Sequence, residues 1–149
     1  MSRQGLIAAH KHATILPAFS DLAEARSVLL QRKEAVLATF VASRKAEIGL
    51  DFSPESLKRL EAWYFRSGMP DSVADVSVSS AIGFYFGEVL VRNAAFEWVV
   101  EAFPFEPARF TIGVAKCRYG LMLTAGMLPS RQGNKRQQSL WRQWRRIAL

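Results

Sequence analysis

Glu88 is the acid whose setting first suggests chemistry. It stands in the run Gly83-Phe84-Tyr85-Phe86-Gly87-Glu88-Val89-Leu90-Val91-Arg92. A carboxylate among so many apolar side chains must be paired, exposed or protonated. A strongly perturbed carboxylate in a cleft would mark a catalytic group, and an enzyme of unknown reaction centred on Glu88 is one expectation. The stronger one is structural. Arg92 follows four residues later, the spacing of a helical ion pair, so Glu88 and Arg92 are expected to form one.

His10 and His12 are the only histidines. As a His-x-His pair on a strand they could ligate a metal, but no third ligand accompanies them. Cys117, the single cysteine, is flanked by Lys116 and Arg118. Neighbouring cations lower a thiol's pKa, yet no histidine is placed to activate it, so a plain, partly buried thiol is expected. Neither Gly-x-Ser-x-Gly nor His-Glu-x-x-His occurs, nor do the glycine-rich phosphate motifs. The expectation is a protein with no catalytic residues, no metal and no cofactor.

Charge gives a sharper signal. The net charge is +7, yet residues 1–130 hold 14 Lys/Arg against 13 Asp/Glu. The remaining cations, Arg131, Lys135, Arg136, Arg142, Arg145 and Arg146, crowd the C-terminal end, and no acid follows Glu106. Trp141 and Trp144 lie among them. Three uses follow from this composition. The segment can dock by its apolar face and leave its cations solvated. It can bind RNA or DNA, with Arg131, Lys135, Arg136, Arg142, Arg145 and Arg146 on phosphates and Trp141 available for stacking. Or it can lie on an anionic membrane with its tryptophans at the interface.

A chain of 149 residues, half of them apolar, has the size and composition of one domain with its own core. It has too few cysteines for an internal disulfide, which favours a reducing, cytoplasmic setting. No run approaches the length of a membrane span, and the first residues lack the pattern of a secretory signal. Residues 1–20 are expected to form a loosely held arm, 21–130 one domain, and 131–149 a basic helix either packed on that domain or exposed.

The elements that must position these residues are marked by caps and periodicity. Asp21 with Glu24 reads as a capping box. From there to residue 48 neither Gly nor Pro occurs, and Leu22, Leu29, Val36, Leu37, Phe40 and Val41 recur at helical spacing before Gly49 ends the helix. This helix could pack on its own domain or pair with a second copy in a homodimer. Ser53-Pro54-Glu55 starts a second helix with Leu57, Leu60 and Tyr64 on one stripe, stopped by Gly68 and Pro70. A third is predicted over 71–92, its face formed by Val73, Val76, Ser80, Gly83, Phe84, Gly87 and Val91. The period then changes to two at 96–101 and 110–114, two antiparallel strands around a loop with Pro104 and Pro107. Residues 119–124 are expected as a third strand, 127–134 as a connector, and 135–147 as a last amphipathic helix. Helices segregated from strands make the fold α+β: three helices, a small antiparallel sheet of two to three strands, then the basic helix.

The run from Gly83 to Arg92, followed by Phe96-Glu97-Trp98, resembles small bacterial domains of unknown function that carry a Gly-x-Tyr-x-Gly-Glu helix before a tryptophan-bearing strand. Leu50-Asp51-Phe52-Ser53-Pro54-Glu55 and Ser139-Leu140-Trp141 are similar to their other helices. Some of those domains accompany toxin systems. The resemblance implies a bacterial α+β domain with an immunity-type or regulatory protein partner. The function expected from residues and resemblance together is a non-enzymatic protein-binding module, with nucleic-acid binding through the C-terminal helix as the alternative.

Overall fold

The computed structural model describes residues 18–66, 73–116, 119–122 and 140–148. It is α+β: helices α1 (Leu22–Ile48), α2 (Ser56–Arg66) and α3 (Val73–Ala94), strands β1 (Glu97–Ala102), β2 (Phe110–Lys116) and β3 (Tyr119–Met122), and helix α4 (Leu140–Ala148). Among the described residues no helix is long and apolar enough to cross a membrane.

Local chemistry sets both ends of α1. The Asp21 carboxylate accepts the Glu24 N–H at 2.8 Å. Glu24 turns back to the Ser20 N–H at 3.0 Å and to the Ser20 hydroxyl, one residue earlier than the usual reciprocal bond. These bonds hold the Glu24 carboxyl below its ordinary pKa. At the other end Gly49 adopts φ 77° and ψ 53°, and its N–H reaches the Lys45 carbonyl at 2.8 Å. Between the caps, Ala25, Leu29, Lys33, Leu37, Phe40 and Ile48 turn inward. Leu22 does not share that face. It precedes Ala25, the first residue to join the core, and stays 49% exposed. The helix packs on β1, β2, α2 and α3 of its own domain.

Helix α2 begins after a tight turn. The Ser53 hydroxyl accepts the Ser56 N–H at 3.2 Å, so serine caps as expected, with Pro54 and Glu55 forming the turn before regular helix. Leu57, Leu60, Trp63 and Tyr64 are buried.

Helix α3 is the centre of the molecule. It touches α1, α4, β1 and β2. Its expected single face is too narrow: Ile82, Tyr85, Phe86, Val89 and Leu90 are fully buried, whereas Phe84 and Val91 are only partly so. A helix surrounded by neighbours is apolar nearly all round, and one stripe does not describe it. Gly83 and Gly87 are buried in this crowded setting.

The sheet is antiparallel in the order β1-β2-β3, with Trp98 opposite Val114 and Val100 opposite Ile112. The proline-bearing loop joins β1 to β2 as expected, closed by the Phe103 N–H on the Arg109 carbonyl at 2.8 Å. Phe19 donates to the Ala108 carbonyl at 3.0 Å, tying the start of the described chain to this loop. Ala25 and Leu29 pack with Val100, Phe110 and Ile112 in one cluster, while a larger cluster joins α2, α3, α4 and the C-terminal half of α1. The start of the predicted third helix, the end of the predicted third strand, the 127–134 connector and residues 135–139 of the predicted last helix lie outside the described residues, as does most of the 1–20 arm.

Candidate functional site

The Glu88 side chain is 16% exposed and each of its oxygens accepts a hydrogen bond. Arg92 Nε donates to Oε1 at 3.1 Å, and the Trp98 indole N–H donates to Oε2 at 2.8 Å. Arg92 in turn lies over the Phe52 ring, 3.8 Å from its centroid. Over the Trp98 ring the ammonium of Lys33 stands 4.6 Å from the indole centroid and bonds to Glu34. Lys33 is the one buried charged residue among the described residues, a role that helical spacing alone did not reveal. Four elements or connections therefore meet in one continuous path, from Lys33 on α1 through Trp98 on β1 and Glu88 on α3 to Phe52 in the α1–α2 connection.

Neighbouring residues of α3 hold that connection. The Tyr85 hydroxyl accepts the Phe52 N–H at 2.9 Å and shares a hydrogen bond of 2.7 Å with the Ser56 hydroxyl. The rings of Phe52 and Tyr85 stack 5.0 Å apart. Asn93 donates to the Phe52 carbonyl at 2.8 Å. Phe52 itself has φ 62°, a conformation a bulky residue adopts only when its surroundings enforce it. Burial pushes the Tyr85 phenol above its ordinary pKa. Asp51, bonded by the Ser53 hydroxyl and N–H and close to Arg59, is held below its own. The Gly-x-Tyr-x-Gly-Glu-x-x-x-Arg-Asn run is thus a clasp, its polar side chains bonded to β1 and to the α1–α2 connection.

The basic helix gives the contrasting arrangement. Leu140 and Trp144 of α4 are buried, Trp141, Ile147 and Ala148 pack against the main cluster, and Arg142, Arg145 and Arg146 are exposed. At about 100° per residue the three arginines fall within about 100° of arc, opposite the buried side. The helix leans on α2 and α3. Glu61 of α2 accepts the Leu140 N–H at 3.2 Å, satisfying a backbone donor that the first turn leaves open. Lys58 of α2 places its ammonium 4.1 Å from the Trp141 ring centroid, adding a cation beside the arginine arc. Among the described residues neither Arg145 nor Arg146 forms an ion pair. Nothing local to Glu61 points to Leu140, 79 residues away, and nothing local to Lys58 points to Trp141, so neither contact was legible in the sequence. Arg131, Lys135 and Arg136, like His10, His12 and Cys117, lie outside the described residues.

One further concavity opens between α1 and α3. It holds about 440 Å³ and is lined by Val36, Thr39, Phe40, Arg44, Val78 and Ala81, with Ala35 and Ser43. Apart from Arg44 its walls are apolar or hydroxyl-bearing. Among the described residues no three His, Cys, Asp or Glu side chains gather as a metal site would require.

No curated protein and no solved structure matches the chain. The model of one family does, over residues 18–148, from the strand bridge before α1 to the last residue of α4. By that match the chain belongs to the family described as Uncharacterised protein YwmA.

Proposed function

We propose that this chain is a nucleic-acid-binding domain that lays the arginine arc of α4 on the phosphate backbone of RNA or DNA. One observation carries it: α4 buries Leu140 and Trp144 and turns Arg142, Arg145 and Arg146 outward together. A docked helix fixes the spacing of its cations, so several can meet one polyanion without each being ordered separately. Lys58 extends the same face from α2. Glu88 supports the non-enzymatic side of this reading, since each of its oxygens already has a donor. The expected protein partner has a surface to use in the α1–α3 groove, but that lining offers little charge to complement, so α4 is the better founded site.

Arg145→Gln/Arg146→Gln tests the proposal in an electrophoretic or filter-retention assay with RNA and with duplex DNA. Each arginine–phosphate pairing removed should flatten the dependence of log affinity on log salt by about 0.9 for duplex DNA. The double variant should therefore bind more weakly at low salt and with a slope shallower by about 2. Unchanged retention and slope would reject the proposal.

A further inference from the structure

The same face should be blind to bases. This inference rests on the reading of α4 as a nucleic-acid surface and asks what such a surface can recognise. Single-strand binders combine a cationic track with open aromatic faces on which bases stack. The four tryptophans of this chain are all otherwise occupied. Trp63 is buried, donates to Glu47 at 3.0 Å, and has Arg44 over its ring at 5.1 Å. Trp98 is bonded to Glu88, has Lys33 over it, and meets Phe84 edge-on at 6.3 Å. Trp144 is 7% exposed. Trp141, the indole on the arginine helix, packs against the core and carries the Lys58 ammonium over its face. Phe105, a well exposed aromatic ring, sits at the β1–β2 turn and not on the α2–α4 face.

We infer that the α4 face reads the phosphodiester backbone alone, with Lys58 as a further phosphate ligand and Trp141 as its apolar support. The ligand class is any strand that presents phosphates at regular spacing, whether or not its bases are available. A protein that took a base on Trp141 would have to displace Lys58, and would forfeit the cation–π pairing and one phosphate partner together.

The test compares two single strands with equal numbers of phosphates, an oligothymidylate and an abasic oligomer, by fluorescence anisotropy with the full chain at low salt. Stacking of even one base would favour the thymidylate by about fivefold or more. The expected ratio of dissociation constants is about one. A preference of about fivefold or more for the base-bearing strand overturns the inference while leaving nucleic-acid binding intact. Failure of both strands to bind overturns the nucleic-acid reading itself, and the inference with it.

Discussion

Glu88 holds two donors of different kinds, the Arg92 guanidinium one turn along α3 and the Trp98 indole N–H on β1. The Arg92 bond was legible, because four residues separate the pair on one helix. The Trp98 bond was not, because it crosses from helix to strand, and only the fold decides which strand faces α3. These two bonds differ in worth. Arg92 is 53% exposed and can exchange Glu88 for water, so the ion pair contributes little. The Trp98 N–H is partly enclosed, so losing its acceptor costs more. Glu88→Gln keeps an oxygen for Trp98 and should cost less than about 1 kcal/mol, whereas Glu88→Leu strands the indole N–H and should cost about 1–3 kcal/mol. Urea midpoints of the two variants check this; equal losses would contradict it. Tyr85 offers a second handle through pH. Its folded pKa is raised, so its contribution is complete below the ordinary phenol value of about 10 and is lost as pH climbs through the raised one. Tyr85→Phe should destabilise at neutral pH by about 1–3 kcal/mol, since the Phe52 N–H loses its acceptor. The gap between the two proteins should then narrow in alkali. A gap that is constant to high pH would remove Tyr85 from that role.

Elements were legible in proportion to how local their determinants are. The caps of α1 are set by residues within four positions of one another: Asp21 and Gly49 act as their spacing indicates, and Glu24 turns back one residue further, to Ser20. The period-two strands and the proline loop between them also needed only neighbours. Helix α3 is the counter-example. Its burial is set by α1, the sheet and α4 together, so choosing one face from Val73 to Val91 left out Ile82, Tyr85, Phe86, Val89 and Leu90. The α1–α2 connection is similar: Ser53 reads as a helix cap, yet its neighbour Phe52 is the residue that α3 grips. Gly49 links the two lessons. Its left-handed φ ends α1, and its carbonyl accepts from Arg59 Nη2 at 2.8 Å. A methyl group there would lie 3.1 Å from Arg59 Nε. Gly49→Ala should therefore lose about 1–2 kcal/mol from the backbone conformation, with a further loss from displacing the guanidinium. Thermal unfolding compared with Arg59→Ala and the double variant separates the two parts. If the double variant loses the plain sum, crowding against Arg59 contributes nothing to the cost at Gly49.

At the scale of the whole molecule the question is whether the excess charge is merely carried or is displayed. Residues up to 130 nearly balance, and a floating basic tail would still attract polyanions through its charge alone. Docking changes that, since Leu140, Trp144 and the Glu61 bond hold α4 at a fixed angle to α2. A displayed face and a carried charge respond differently to two perturbations. Removing Arg145 and Arg146 takes charge from an intact surface, so stability should stay within about 0.5 kcal/mol while affinity falls. Trp144→Ala keeps every cation but empties a core site, at a cost of about 3–5 kcal/mol. If the face works by holding its arginines on one arc, Trp144→Ala should weaken nucleic-acid binding as well, under conditions where circular dichroism shows the rest of the domain folded. Trp144→Phe, which keeps most of the apolar volume, should restore much of both. If affinity survives in Trp144→Ala and falls only with the arginines, the charge is acting as a tail, and the geometry of α4 has no part in recognition.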